Sequence, residues 1–552
     1  EENRLDFDDL QSRDVALFAD SRPACQKMRE RYRRRFKFIL VDEFQDTNYL
    51  QMRFIGLLSS GSNVFTVGDY KQSIYGFRGA EPRIFLELDE KFRSGKAGVR
   101  IPLVENFRSG ARLLEKTNAI FRELWREDRD FPFEELEARA EEGPGPVPAE
   151  PVEMLVTNLG EDEGGKEHAK IREAIAVAAR IRSLREREGV PYGNIAVLFR
   201  GMKQSGIYEH AMKVFDIPYF IMSGRGFYHQ PEIRDIVSYL THLEKPLLDI
   251  PLAAALRSPL FHITDSTLFW LSKRAKSESK TAPLRRALKE ACNIHSITED
   301  QQSRLNSFIS LTDELRSLKD RMPLSQLIDR ILEATGYELT VLADRGGNRR
   351  YANLKKLIAM VREQEALERM PLARFLVMLE RLETQEVRES EAQVAAEEGG
   401  ETVRMMTIHA AKGLEFPVVI VAGMGSEGKN PDPKSIIAHA NEGFAIRLRN
   451  DLTRAPEKSR FYQILDEKMI LREKEERKRL FYVACTRAKS RLILSGIREI
   501  RKKPKDRYAD MLTWMDWMDA IAGKTGIPAA CDTDRAVPFF GQKPENLREK
   551  IR

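Results

Sequence analysis

The chain has 552 residues, 42% of them apolar, which is too long for a single hydrophobic core and predicts several domains. Lys and Arg number 91 against 85 Asp and Glu, a formal +6 that permits nucleic-acid binding without requiring it. Cys25, Cys292, Cys485 and Cys531 lie far apart with no CxxC spacing, which excludes a disulfide framework or zinc knuckle and predicts a cytoplasmic protein, and no apolar run nears the roughly 18 residues of a membrane span.

The sequence opens on EENRLDFDDL, with no initiator Met and no signal-peptide pattern, so it is expected to be cut at its start. The basic run RERYRRRFK (29–37) follows, then two β-branched or aromatic runs ending in polar turns, FKFILVDE and NVFTVGD. A surface linker is expected at 141–151, a helix over EAIAVAARIRSLRERE and a strand at NIAVLFR. From 246 to 394 the pattern becomes helical, with STLFWLSKRAK, LSQLIDRILEA and LARFLVMLERLE and no clear strand. After a second linker at 397–401, strands return in VRMMTIH, FPVVIVAGM and RLILSG, before the basic run REIRKKPKDR (498–507). Strands alternating with helices predict an α/β fold with parallel sheets, which gather ligands at the ends of strands.

Those strand ends carry chemistry. VDEFQDTN (41–48) sets Asp42 and Glu43 side by side, a repulsive pair that calls for a cation or a mobile proton; Asp42 suits Mg²⁺ and Glu43 suits a general base acting on water. VGDYKQSIYGFRGA (67–80) offers the Gln72 amide for a γ-phosphate, with Tyr75 and Phe77 behind it. ENFRSG (105–110) and VACTRAK (483–489) present Arg108 and Arg487, whose planar forks stay ionised beside a transferring phosphoryl group. Taken singly, each feature has a plainer explanation: a DE pair caps helices, lone arginines make surface ion pairs, and basic runs are solvated faces.

Taken in order, LDFDDL, VDEFQDTN, VGDYKQSIYGFRGA, ENFRSG, IAVLFRG, MTIHAAKGLEFPVVIVAGM and RLFYVACTRAKSRLILSG resemble the UvrD/Rep/PcrA superfamily of DNA helicases over about residues 5–500. Residues 152–240, with GFYHQPEIRDIVSYL, and YADMLTWMDWM lean toward the AddA and RecB motor subunits of helicase–nucleases; a single-subunit UvrD-type enzyme is the other option. The resemblance implies two RecA-like parallel-sheet domains of the P-loop NTPase type, the first incomplete, with ATP and Mg²⁺ between them. Residues 1–105 would belong to the first domain, 106–245 and 395–500 to the second, 246–394 to a mostly helical insertion and 501–552 to a C-terminal extension. It also implies the roles of individual residues. Asp42 would hold Mg²⁺, Glu43 would be the base and Gln72 would sense the γ-phosphate, with Arg108 and Arg487 as arginine fingers. Phe107 would stack near adenine and Glu415 would bond the ribose. Tyr75, Phe77 and His409 would face DNA, although a packed core histidine is the plainer reading of His409.

The family's phosphate loop, G-x-x-x-x-G-K-[ST], is missing from these 552 residues. GEDEGGKE (160–167) puts acids in the loop and Glu167 where the hydroxyl belongs; GMGSEGKN (423–430) has Asn430 there, followed by helix-blocking PDPK; AGKTG (522–526) lacks the first glycine. The expected place is upstream of residue 1. LDFDDL reads as a helix segment rather than a metal site. The function implied is an ATP-dependent 3′–5′ helicase of DNA repair and recombination that acts on single strands and single-strand/duplex junctions beside a helicase–nuclease partner subunit, with no membrane role. The alternative is a non-catalytic scaffold that keeps the fold to bind DNA or a partner. This chain alone is expected to be inactive.

Overall fold

The computed structural model describes residues 6–532 except 96–97, 127, 129–130, 140–149, 160–164, 223–226, 279–282, 289, 292–293, 344–346, 385–400, 427–435, 440–441, 450–455, 500–510, 512 and 526–530. The linkers expected at 141–151 and 397–401 and the basic run at 498–507 fall almost wholly outside these residues. The chain divides into two compact units, Glu1–Phe220 with Thr402–Arg552, and Ile221–Glu401.

The first unit begins with helices α1 (Phe7–Ala19) and α2 (Pro23–Arg35). The acids of LDFDDL start α1: the Asp6 carboxylate accepts the Asp9 N–H at 2.7 Å, and the Asp9 side chain answers the Asp6 N–H, a reciprocal cap. Phe18 of α1 packs edge-on against Tyr32 of α2 and Phe54 of α3 (Tyr49–Leu58). Strand β1 (Ile39–Val41) runs parallel to β2 (Val64–Thr66), with Leu40 in register with Phe65.

A larger sheet follows, built from β3 (Val152–Asn158), β4 (Ile195–Phe199), β5 (Tyr219–Met222), β6 (Val403–Thr407), β7 (Phe416–Ala422), β8 (Ala488–Arg498) and β9 (Cys531–Asp532), in the order β9-β3-β8-β7-β4-β6-β5. The pairings of β8 with β3 and β7, of β4 with β6 and β7, and of β9 with β3 are parallel. Consecutive residues Val418 to Val421, and likewise Leu492 to Leu494, are buried, so both faces of the sheet are covered. Helix α4 (Gly165–Glu188) packs on β3 and β8, α5 (Arg460–Cys485) leads into β8, and α6 (Trp514–Thr525) lies against β8.

Helices make up the described part of the second unit beyond β5, among them Pro231–Glu244, Glu299–Leu318, Leu324–Thr335 and Gly347–Leu367. Their apolar stripes close a core of Tyr239, Phe261, Phe308, Leu327 and Leu357. The Tyr239 hydroxyl meets Thr312 Oγ1 at 3.1 Å, which satisfies a polar tip inside that core.

Candidate active site

The acids after β1 are shaped by backbone geometry. Glu43 takes a left-handed conformation at φ 50°, so the chain turns sharply and Asp42 Oδ1 accepts the Glu43 N–H at 2.8 Å. The Gln45 amide donates to Glu43 Oε2, and its oxygen accepts the Asp69 N–H at 3.0 Å, so one buried glutamine ties the end of β1 to the segment after β2. Gly68 leaves room for that amide: a Cβ there would press on Gln45 Oε1. Asp42, Glu43 and Asp46 line a cavity of about 440 Å³ with Val41, Thr47 and Gln51. Burial raises the pKa of Asp46, and the ion pair with Lys412 opposes that rise.

Gln72 stands between this acidic end and Arg487. Its Nε2 donates to Asp69 Oδ2 at 3.1 Å, and its Oε1 lies 3.4 Å from Arg487 Nη2. Arg487 is only 1% exposed and is held by the carbonyls of Val483 (3.0 Å) and Leu414 (3.3 Å) and by the Thr486 hydroxyl (3.1 Å). Burial, with the positive charge of Arg108 adding to it, brings the Arg487 guanidinium down to about 10, still cationic at neutral pH. The Asn106 side chain accepts the N–H groups of Arg108 and Ser109, and the Ser109 hydroxyl donates to the Ala488 carbonyl at 2.8 Å. That loop therefore sits at the start of β8, with Arg108 Nε donating to Glu415 Oε2 at 2.7 Å and Phe107 72% exposed. Lys489, and after it Arg108, hold the Glu415 carboxyl below its usual range.

A second cluster is aromatic. The Phe77 and His409 rings meet edge-on at 5.5 Å, Tyr75 lies 6.0 Å from Phe77 and 6.1 Å from His409, and Arg78 stacks on both Tyr75 and Phe77. Phe77 is 54% exposed. Lys412 joins the two clusters: its Nζ pairs with Asp46, lies 3.5 Å from Glu43 Oε2, donates to the Gln72 carbonyl at 3.0 Å and sits 5.0 Å from the Tyr75 ring centre. Glu43, Gln72 and Arg487 are thus linked through Gln45, Asp69 and Lys412, with Asp42 beside Glu43; Phe107, Arg108 and Glu415 lie at the start of β8, and Tyr75, Phe77 and His409 form a patch beyond Lys412. Sequence reading passed over Lys412, because its acidic partners lie far away in the chain and nothing local marks it. The strands bordering two of the rejected loops are β3 and β7, but residues 160–164 and 427–430 lie outside the described residues.

The fold is of the parallel, helix-flanked α/β class, with charged and aromatic groups collected on segments that leave or enter strands. Residues 101–499 match the UvrD-like helicase C-terminal domain and residues 1–93 the UvrD/REP helicase N-terminal domain. The chain belongs to the UvrD-like helicase family. It is similar to the AddA-type ATP-dependent helicase/nuclease subunit of Bacillus cytotoxicus, 32% identical over 539 residues that make up 92% of this chain and 43% of that protein. The corresponding helicase/nuclease subunit from Listeria monocytogenes serotype 4a is 31% identical over 526 residues, 89% of this chain and 41% of that protein. The chain therefore spans less than half the length of the curated relatives it matches.

Proposed function

We propose that this chain is part of an ATP-driven motor that moves 3′ to 5′ along single-stranded DNA in repair and recombination, beside a helicase–nuclease partner subunit. The observation that carries the reading is the approach of Arg487 Nη2 to Gln72 Oε1, which brings a buried cation to the same place as the acids after β1. In this reading residues 1–105 contribute to one RecA-like domain, and the segments on either side of the helical unit to the other. The insertion is proposed over residues 246–394, inside the compact unit that spans Ile221–Glu401.

The residues present suit Mg²⁺ and a nucleotide on one side. Asp42 and Glu43 face a cavity, the neighbouring charges of Arg108 and Arg487 oppose one another until an anion joins them, and Phe107 offers an exposed ring to a base. When bound, MgATP supplies the phosphoryl group whose hydrolysis drives movement. Asp42 would hold the ion. Glu43 takes a proton from water, its carboxylate oriented by Gln45 and Lys412. Gln72 reports on the terminal phosphate, and Arg108 and Arg487 stabilise its charge. Glu415, now paired with Arg108 and Lys489, would bond the ribose. Tyr75, Phe77 and His409 stack on bases, a grip indifferent to sequence because every base has a π-face.

Glu43→Gln in the complete gene product should lower DNA-stimulated ATP hydrolysis by about 10²–10⁴-fold while leaving DNA affinity in place. Unaltered turnover would refute the assignment. The 552-residue chain by itself should hydrolyse no ATP above background and recover when a segment carrying the phosphate loop is added. Unwinding from 3′-tailed rather than 5′-tailed duplexes reads the polarity.

A further inference from the structure

The segment from Gln72 to Ala80 is fastened along its backbone by charged side chains, most of which the proposed chemistry does not use. Three of them, Arg472, Glu476 and Arg479, are spaced four and three residues apart and so form one stripe on α5. Arg479 Nε donates to the Ser73 carbonyl at 2.8 Å, the Gly76 N–H donates to Glu476 Oε1 at 3.2 Å, and Arg472 Nη2 donates to the Ala80 carbonyl at 3.0 Å. Arg472 also pairs with Glu81 at 2.9 Å, and Lys412 holds the Gln72 carbonyl from the β6–β7 connection. A Cβ at Gly76 would stand 2.6 Å from Glu476 Oε2, so any other residue there would push the carboxylate off the Gly76 N–H.

These contacts hold the main chain and leave the rings of Tyr75 and Phe77 out of the grip. The same helix ends at Cys485, one residue before Thr486 and two before Arg487. From Arg472 to Cys485 it is a rod of about 20 Å at 1.5 Å per residue, too stiff to absorb a displacement at one end by bending.

Building on the motor reading, we infer that Arg472, Glu476 and Arg479 are positioning residues that couple the nucleotide site to the DNA track: α5 carries a shift of Arg487 to the 72–80 loop as one body. Tyr75 and Phe77 then need no direct link of their own to phosphate. Arg479 is the least replaceable, being buried with its Nη1 unpartnered among the described residues, whereas Arg472 is partly exposed. Lys412 adds a fixed point from the other sheet connection.

The test measures ATP hydrolysis by the complete gene product with and without single-stranded oligonucleotide, together with nucleotides travelled per ATP. Glu476→Ala and Arg472→Ala should each lower the DNA-stimulated kcat and the distance per ATP by about tenfold, while KM for ATP and the unstimulated rate stay within about twofold of wild type. Glu476→Gln, which can still accept the Gly76 N–H, and Arg472→Lys, which can still donate to the Ala80 carbonyl, should recover most of the loss. Hydrogen exchange should show faster exchange in peptides of 70–80 in the alanine variants and no change in β7 or β8. If Glu476→Ala fails to fold, the exposed Arg472→Ala decides. A wild type that DNA stimulates, with variants stimulated equally, overturns the clamp alone; so does a fall in KM, unstimulated rate and kcat together. A wild type that DNA does not stimulate overturns the motor reading and the clamp with it.

Discussion

Two pieces of parallel sheet in the same unit are made from the same kind of sequence and end in opposite surroundings. In β7 and β8 every residue of VVIV and of LIL is buried, Leu494 completely, whereas in β1 and β2 the registered pair Leu40 and Phe65 is 74% and 52% exposed. Consecutive strand residues point to opposite faces, so unbroken burial requires cover on both sides, and the alternation in β1 and β2 marks one half-covered face and one open face. An apolar strand is thus a statement about what ought to cover it, and the seven-stranded sheet has that cover within the described residues. The largest expected effect follows from this difference. Leu494→Ala should lower unfolding stability by about 2–5 kcal/mol, and Leu40→Ala should change it by no more than about 0.5 kcal/mol, read from denaturant midpoints. Equal losses at the two sites would break the comparison.

The two sheets differ again at their strand ends, in whether backbone or a side chain meets an added Cβ. A Cβ on Gly425, beyond β7, would lie 2.9 Å from the Ile497 backbone nitrogen and nearer still to its carbonyl, and neither atom can turn away. Gly425→Ala should therefore cost about 1–3 kcal/mol. At Gly68 the closest atom is the Gln45 side-chain oxygen, which can rotate, but only by releasing the Asp69 N–H and moving the amide that orients Glu43. Gly68→Ala should cost less stability than Gly425→Ala and disorder the site, seen as a loss of ATP turnover larger than the shift in the unfolding midpoint explains. A stability loss as large as that of Gly425→Ala, with turnover intact, would contradict this division.

The residues proposed for the site are legible as candidates because they sit next to structural punctuation. Asp42 and Glu43 follow an apolar run, Arg108 and Ser109 follow Asn106, whose side chain caps them, and Arg487 lies between the end of α5 and the start of β8. The helical character of the described residues between 246 and 384 was likewise visible in 3.6-residue spacing, and the acids of LDFDDL in their capping positions. Pairing across the chain was not readable. Lys412 meets Asp46, and Arg479 meets Ser73, over hundreds of residues, and no periodicity encodes which of 91 basic residues finds which carbonyl or acid. Nor could the sequence distinguish covered from uncovered strands: FKFILVDE and RLILSG carry the same apolar signal, and only the neighbours differ.

The smallest expected effect lies on α5, the helix that touches the loop after β2 and runs into β8. Glu475 pairs with Lys478 at 2.9 Å, and Lys478 reaches Asp128 at 3.4 Å, so two carboxylates share one ammonium. Burial, with a hydrogen bond to Asp128 behind it, pushes the Glu475 carboxyl up to about 7 from an ordinary 4.5, although Lys478 opposes the change. The folded state therefore binds more protons than the unfolded chain between those values. The stabilisation is complete below about pH 4.5 and is lost as pH rises through about 7, opposite in sign to the usual surface carboxylate. Glu475→Gln keeps the neutral shape and removes the titration, so the variant's thermal midpoint should fall less than the wild type's between about pH 5 and pH 8, by about one or two degrees. Parallel midpoint curves for the two proteins would show that Glu475 ionises as freely in the fold as in the unfolded chain, and the pairing around Lys478 would then contribute nothing to how α5 is held between the two sheets.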